Sequence, residues 1–288
     1  MINSLSESIT LSINLKGNLL SLKTPLVMGI LNITNDSFYK KSRFIGNDNI
    51  IEVAQQMLDA GAAIIDIGAA SSRPGAKLID AENEIETLLP VLENLVKHFP
   101  DAFFSIDTYH SKTAKYAVDA GAAMINDISS GSIDKEMFSV IAALNVPYVM
   151  MHMQGIPETM QDAPRYSNVV KETLDYFIEK VSLVRQLGIK DVIIDPGFGF
   201  GKALNHNYLL LQQLHLFNIF QVPILCGLSR KSFINKIIET SPDSALNGTT
   251  VLNTIALLNG ANILRVHDVI EAQQAVRLVQ YYLTTKGE

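Results

Sequence analysis

Eight short apolar runs punctuate the chain: LVMGILN, AAIIDIG, AFFSID, AAMIND, VPYVMMH, DVIID, VPILCG and NILRVHD. None alternates apolar with polar positions, as a strand with one wet face would, so each predicts a parallel strand buried on both sides. Between them lie stretches of helical length and period, including NIIEVAQQMLDA, DAENEIETLLPVLENLVKHF, SKTAKYAVDA, DKEMFSVIAAL and HDVIEAQQAVRLVQYYL. Strand and helix therefore alternate from end to end. A weak repeat follows the same plan: DAGAAIIDI (Asp59 to Ile67) returns as DAGAAMINDI (Asp119 to Ile128), with LNGANILRV and QLGIKDVII as looser copies. In each, a helix ends at a glycine whose left-handed backbone turns the chain into the next strand. Eight strands with intervening helices in ~260 residues predict a single (β/α)8 TIM barrel, with Ile9 to Leu22 as an extra N-terminal β-hairpin. A doubly wound open sheet is the alternative, since periodicity does not decide closure.

No linker, charge block or low-complexity tract divides the 288 residues, so one domain, 1–288, is expected. The charge count, 23 basic against 29 acidic residues, gives −6 and no basic field for a nucleic-acid backbone or an anionic membrane. An anionic ligand must then be met by a local cluster. The N-terminus MINSLSESIT has neither the basic start nor the apolar stretch of a secretory signal. The most apolar segment, Met137 to Met153, is broken by Ser139, Asn145 and Pro147, and reads as helix, turn and buried strand rather than a membrane span. The one cysteine, Cys226, lies in an apolar run and is expected as a buried thiol in a reducing compartment, which points to the cytoplasm.

Polar residues gather at the C-terminal ends of the apolar runs: Asn32, Ser71-Ser72-Arg73, Asp107, Asn126, His152, Asp195, Ser229 to Ser232, and Arg265 with His267. In a barrel those ends converge on one mouth, where active sites are built. For any single position the plainer reading is a polar residue marking a strand end, and for Asp107 or Asp195 a helix N-cap. The stretch Gly197-Phe198-Gly199-Phe200-Gly201-Lys202 suggests a phosphate loop but fails in detail. Pro196 stands where a Walker loop needs its first glycine, and Ala203 where it needs Ser or Thr. The run GLSRKSF, by contrast, ends the seventh strand and opens a helix whose amides, with the Ser232 hydroxyl, suit a carboxylate or phosphate. The plainer alternative makes Ser232 an N-cap, and Arg230 and Lys231 a solvated face. His98, His110, His206 and His215 lack zinc-site spacing.

Taken together, MGILNITNDSF, IDIGAASSRPGA, SIDTYHSKTAKYAVDAGAAMINDIS, MHMQGIPETM, DPGFGFGK, GLSRKSF and GANILRVHDV resemble the dihydropteroate synthase family of pterin-binding barrels, over about Pro25 to Leu283. The resemblance implies condensation of a dihydropterin pyrophosphate with p-aminobenzoate, releasing pyrophosphate with Mg2+ assisting, in a homodimer. It implies that Asp195 accepts both donors of the pterin edge, with Asp107 and Asn126 on other ring nitrogens, Lys231 on the O4 and N5 side and Arg265 on the pterin plane. Arg265 and His267 would face the pyrophosphate, and Asn32 would hold Mg2+. The p-aminobenzoate site would form from Thr34, Asp36, Phe38, Ser72, Arg73 and Pro74, with Phe200 and the Lys231 stem against the ring and Ser232 on its carboxylate. Catalysis is thereby expected of Asp36, Ser72, Arg73, Lys231, Arg265 and His267.

The chain departs from the family pattern in those loops. It has Asn35 in place of a proline, Lys40 and Lys41 in place of an Asp-Gly-Gly stretch, and Ala69-Ala70-Ser71-Ser72-Arg73-Pro74 in place of Gly-Glu-Ser-Thr-Arg-Pro. Two alternatives follow. One is a paralogue that binds pterin without condensing it. The other is a pterin-dependent methyltransferase barrel, which has no reason to keep SRKS or Arg73-Pro74.

Overall fold

The computed structural model describes residues 11–33, 47–69, 78–161 and 164–286. An antiparallel hairpin, β1 (Ser12–Leu15) and β2 (Asn18–Ser21), precedes a run of alternating strands and helices. The order is β3 (Leu26–Asn32), α1 (Asn47–Asp59), β4 (Ile64–Gly68), α2 (Ala81–His98), β5 (Phe104–Asp107), α3 (Ser111–Asp119), β6 (Met124–Asp127), α4 (Met137–Leu144) and β7 (Tyr148–Met151). There follow α5 (Val169–Gln186), β8 (Val192–Asp195), α6 (Leu204–Gln212), β9 (Leu225–Cys226), α7 (Ser232–Ile238), α8 (Leu246–Leu258), β10 (Ile263–Val266) and α9 (Val269–Thr284).

The eight later strands pair in parallel in the order β8-β7-β6-β5-β4-β3-β10-β9. A parallel bridge between Ile194 and Ile224 joins the two edges. That closes the ring and excludes the open doubly wound alternative, whose strand order would reverse at a switch point. β9 is the shortest strand: VPILCG contributes only two paired residues, because Pro223 has no N–H to donate and acts through its carbonyl, which accepts from the Ile194 amide at 3.0 Å.

The repeat noted in the sequence is structural. Gly61, Gly121 and Gly260 have φ of 95°, 109° and 99°, and the amide of the residue after each bonds back into the helix, Ala62 to Met57, Ala122 to Ala117 and Ala261 to Ala256. Met137 to Met153 is also as expected: α4 ends on a left-handed Asn145 and the chain enters β7. Among the described residues, no helix is long and apolar enough to cross a membrane.

Side chains alternate across the barrel wall with the two-residue period of a strand. Val27, Ile65, Ile67, Phe104, Ile125, Met150, Ile194 and Leu264 face outward and pack beneath the helices. Met28, Ile64, Met124, Val149, Ile193, Leu225 and Ile263 face inward at the lower end, where they meet Ile13, Leu15 and Leu22 of the hairpin segment. The extra hairpin thus seals the bottom of the barrel with an apolar floor.

Candidate functional site

Two residues above that floor the same strand faces carry Asp66, Ser105, Asn126, Met151, Asp195, Gly227 and Arg265, and Asn32, Gly68, Asp107 and His267 follow one step higher. Apart from Ile30 on β3 and Met151 on β7, the interior turns from apolar to polar or glycine within one step. Arg265 organises this layer, donating from Nε to Asp66 Oδ2 at 2.6 Å and from Nη2 to Asp107 Oδ2 at 2.8 Å. Asn126 Nδ2 donates to the same Asp66 oxygen at 3.0 Å. Burial works against the Arg265 charge, but the two carboxylates outweigh it and raise its pKa. Burial also pushes the Asp107 carboxyl up, against the pull of the guanidinium.

Asp195 is buried across the barrel, with Oδ1 accepting from the Gly197 amide at 2.8 Å. Desolvation raises its pKa, and the nearby Lys231 ammonium opposes that rise. The N-cap positions of α3 and α6 are held by His110 and Ala203, so neither Asp107 nor Asp195 is spent on capping. A Cβ on Gly227 would stand 3.8 Å from Lys231 Nζ and 4.0 Å from Asp195 Oδ2, so the glycine leaves clear space between these opposite charges. Lys231 Nζ donates to the Phe198 carbonyl and lies 4.5 Å above the Phe200 ring. Phe200 and Lys231, the two residues expected to face the arylamine ring, thus lie against one another. Burial lowers the Lys231 pKa to about 8, with Asp195 acting in the other direction.

The seventh-strand run divides between two jobs. Arg230, expected as part of a solvated face in the plainer reading, is buried with a left-handed φ of 55° and forms a two-point ion pair with Asp268. Next to it, Lys231 turns into the barrel and is the N-cap residue of α7. Ser232 is therefore the first helical residue and not the cap, and it is exposed at the helix start. His267 is tied to Ser229 at 3.0 Å through Nδ1, while its amide donates to the same hydroxyl oxygen at 3.2 Å. Both contacts fall on the one hydroxyl, which holds the ring and its backbone at the strand end.

Asn32 ends β3 beside Gly68. A Cβ on that glycine would lie 3.5 Å from Asn32 Oδ1 and 3.7 Å from Asp107 Oδ2, so two oxygen donors flank one small space. Among the described residues, no three His, Cys, Asp or Glu side chains gather as a metal cage. The donor set suits a hard cation held by few protein oxygens together with a ligand's own phosphates. Thr34, Asp36, Phe38, Ser72, Arg73 and Pro74, and with them Asn35, Lys40, Lys41 and Ala70, lie outside the described residues.

Sequence reading missed Asp66, which is fully buried and whose Oδ1 has no hydrogen-bond partner among the described residues. Leaving such an atom unpaired costs roughly 1–3 kcal/mol, a strain found where function demands it. The signal was present in the repeat. Counting five residues on from Gly61, Gly121 and Gly260 gives Asp66, Asn126 and Arg265, that is, the buried carboxylate and two side chains that donate to it.

Comparison with known proteins agrees with this geometry. Residues 28–267 match the family model described as pterin binding enzyme. The dihydropteroate synthase of Escherichia coli (strain K12) is 41% identical over 273 residues, 94% of this chain and 96% of the relative. Two solved structures superpose across 96% of this chain and 100% of their own: Yersinia pestis dihydropteroate synthase with a sulfonamide drug complex (37% identical, TM-score 0.90) and Xanthomonas albilineans dihydropteroate synthase with 4-aminobenzoic acid (34%, TM-score 0.88). With a closed barrel, a buried acidic and basic layer at its mouth, and likeness along nearly its whole length, the chain belongs to the dihydropteroate synthase family of pterin-binding enzymes.

Proposed function

We propose that the mouth of this barrel joins the methylene carbon of 6-hydroxymethyl-7,8-dihydropterin pyrophosphate to the amine of p-aminobenzoate, giving 7,8-dihydropteroate and pyrophosphate. The observation that carries the reading is the polar layer, with two buried aspartates at converging strand ends and two cations between them. Asp195 offers Oδ2 and the remaining acceptor capacity of Oδ1 to the paired N3–H and 2-amino donors of a pterin, and a charged acceptor there discriminates against rings lacking that edge. Asn126 and Asp107 serve the remaining ring nitrogens, and Lys231 donates to the O4 and N5 side.

As the C–O bond breaks, its electrons leave with the pyrophosphate, and Arg265 and His267 supply the positive charge and N–H donors that stabilise them. The arylamine nitrogen then forms the new C–N bond and gives up a proton. No protein nucleophile takes part. Asn32 would hold Mg2+ through its carbonyl oxygen, and the ion, when bound, neutralises phosphate charge. Phe200, Lys231 and Ser232 form one wall of the arylamine site, with Thr34, Asp36, Phe38, Ser72, Arg73 and Pro74 completing it from two loops.

The proposal includes a homodimer in the cytoplasm. In support, α8 carries exposed Val251, Ile255 and Leu258 at i, i+4 and i+7, and the end of α9 exposes Leu278, Tyr281, Tyr282 and Leu283. Cys226 is a free, buried thiol, in keeping with a reducing compartment. Light scattering checks the mass.

Calorimetry with dihydropterin pyrophosphate, followed by addition of p-aminobenzoate and assay for released pyrophosphate, tests the function. Heat without product would leave a non-catalytic pterin binder, and no heat would remove the pterin assignment. Asp195→Asn should nearly abolish pterin binding, because an amide presents a donor where the pterin also presents one, at about 1–3 kcal/mol per unpaired group. Unchanged affinity would overturn the assignment of Asp195.

A further inference from the structure

The stretch Gly197 to Lys202 lacks the spacing of a phosphate loop, and its lysine has no part in the site described above. Lys202 is nevertheless buried, and among the described residues no carboxylate lies within ion-pair distance of its ammonium. Nζ instead meets His152 Nδ1 at 3.0 Å, the His152 carbonyl at 3.1 Å, the Gly197 carbonyl at 2.9 Å and the Phe200 carbonyl at 3.0 Å. Burial keeps the His152 ring neutral, so Nδ1 can accept from the ammonium. Burying a cation among neutral acceptors is costly, and desolvation brings the Lys202 pKa down to about 7.

The loop it grips is unusual in a second respect. Each carbonyl from Gly197 to Gly201 accepts from a side chain: Gly197 and Phe200 from Lys202, Phe198 from Lys231, Gly199 from Gln161 at 2.6 Å, and Gly201 from Tyr166 at 2.9 Å. Gly197 has a φ of 73°, and a Cβ there would collide with the His152 carbonyl that Lys202 also holds. The two aromatic residues of the loop differ. The Phe198 ring is fully buried in the core beneath the helices, which anchors its carbonyl independently. The Phe200 ring is half-buried against the small cluster of Tyr109, Ile128 and Met151, and its carbonyl has Lys202 as its side-chain donor. Phe200 therefore depends on Lys202 for its position more than Phe198 does.

We propose that Lys202 is a positioning residue for the second substrate, fixing the Phe200 ring beneath Lys231 by clamping the carbonyls of Gly197 and Phe200 against the end of β7. The inference rests on the arylamine site of the proposed function. It predicts that losing the clamp loosens the wall on which the arylamine lies, while the pterin contacts of Asp195, Asn126 and Asp107, on the strands themselves, stay in place.

The test uses the full chain with Lys202→Met, reading the KM for p-aminobenzoate, the kcat, and by calorimetry the affinities for dihydropterin pyrophosphate and for p-aminobenzoate added to that complex. The arylamine KM and Kd should rise about tenfold, with pterin pyrophosphate affinity within about twofold and kcat within about threefold of the starting protein. Equal losses for both substrates, or an unchanged arylamine affinity, would overturn the positioning role. Tyr166→Phe and Gln161→Ala provide a second measurement that leaves the buried lysine intact. Each removes one neighbouring clamp and should raise the arylamine KM about two- to threefold, and no change in either would count against the proposal. An unmutated chain that binds dihydropterin pyrophosphate but no arylamine would overturn the proposed function together with this inference, whereas failure of the variants alone overturns only the inference.

Discussion

Two arginines near the barrel mouth pair with aspartates, and the pairs are built differently. Arg230 binds Asp268 through Nε and Nη2, both at 2.8 Å, and gives Nη1 to the carbonyls of Pro242 and Asp243 at 2.7 and 2.9 Å. Each nitrogen of its planar fork is taken by the protein. Arg265 donates from Nε to one carboxylate and from Nη2 to another, and Nη1 makes no hydrogen bond among the described residues. Its side chain is 18% exposed against 6% for Arg230. A saturated guanidinium ties a helix start to a strand end; one held by two corners presents the third to whatever enters the barrel. The same pair of residue types can therefore be structural or functional, and the number of donors left over decides which.

The largest expected effect tests the structural member. Asp268→Ala leaves Arg230 buried without its carboxylate, which should cost ~3–5 kcal/mol and lower the Tm by on the order of 10 °C. Calorimetric melting measures this, and kcat/KM per folded molecule should stay within about threefold; a stable but inactive variant would reverse the assignment of roles. Arg265→Lys should act the other way, with a small change in Tm and a kcat lowered about tenfold, ~1.4 kcal/mol. An ammonium cannot span Asp66, Asp107 and a phosphate together. Single-turnover measurement of C–O cleavage is the check, and an unchanged rate with weaker pterin binding would make Arg265 a pterin clamp alone.

Asp66→Asn sharpens the contrast further, since it removes the charge that fixes Arg265 Nε without touching the donor face. We expect a kcat loss of about fivefold, ~1 kcal/mol, with the same single-turnover readout. The smallest effect is in pH. Lys231 must be protonated to donate to a pterin oxygen, and its folded pKa is lowered by burial to about 8. Pterin affinity should therefore hold below that pH and decline as pH rises through it. Calorimetry across pH 6.5 to 9.5 would show the limb, and its survival in Lys231→Met would assign it to another group.

Strands were legible because parallel strands buried on both faces need unbroken apolar runs, and the chain supplies them with few accidents. β9 was the exception: its apolar letters promise a full strand, but a proline removes a ladder donor. Asp107, Asn126, Asp195 and Arg265 could be read as a group because strand ends converge in a barrel. Asp66 escaped because it sits inside an apolar run, where one carboxylate reads as noise until the repeat is used as a ruler. Arg230 and Lys231 could not be told apart by type or spacing. A left-handed residue between strand and helix sends one cation into the protein and the next into the barrel, and non-glycine residues seldom announce that backbone in sequence.

The hairpin that plugs the lower end makes the barrel a vessel with one opening, and such a vessel imposes a queue. A flat ring that is to rest on the polar layer must arrive before anything that lies above it. An arylamine seated first against Phe200 and Lys231 would bar the way down, and the joined product must leave by the route along which its deeper half came in. Under the proposed function, a barrel closed at its far end favours entry of the pterin before the arylamine.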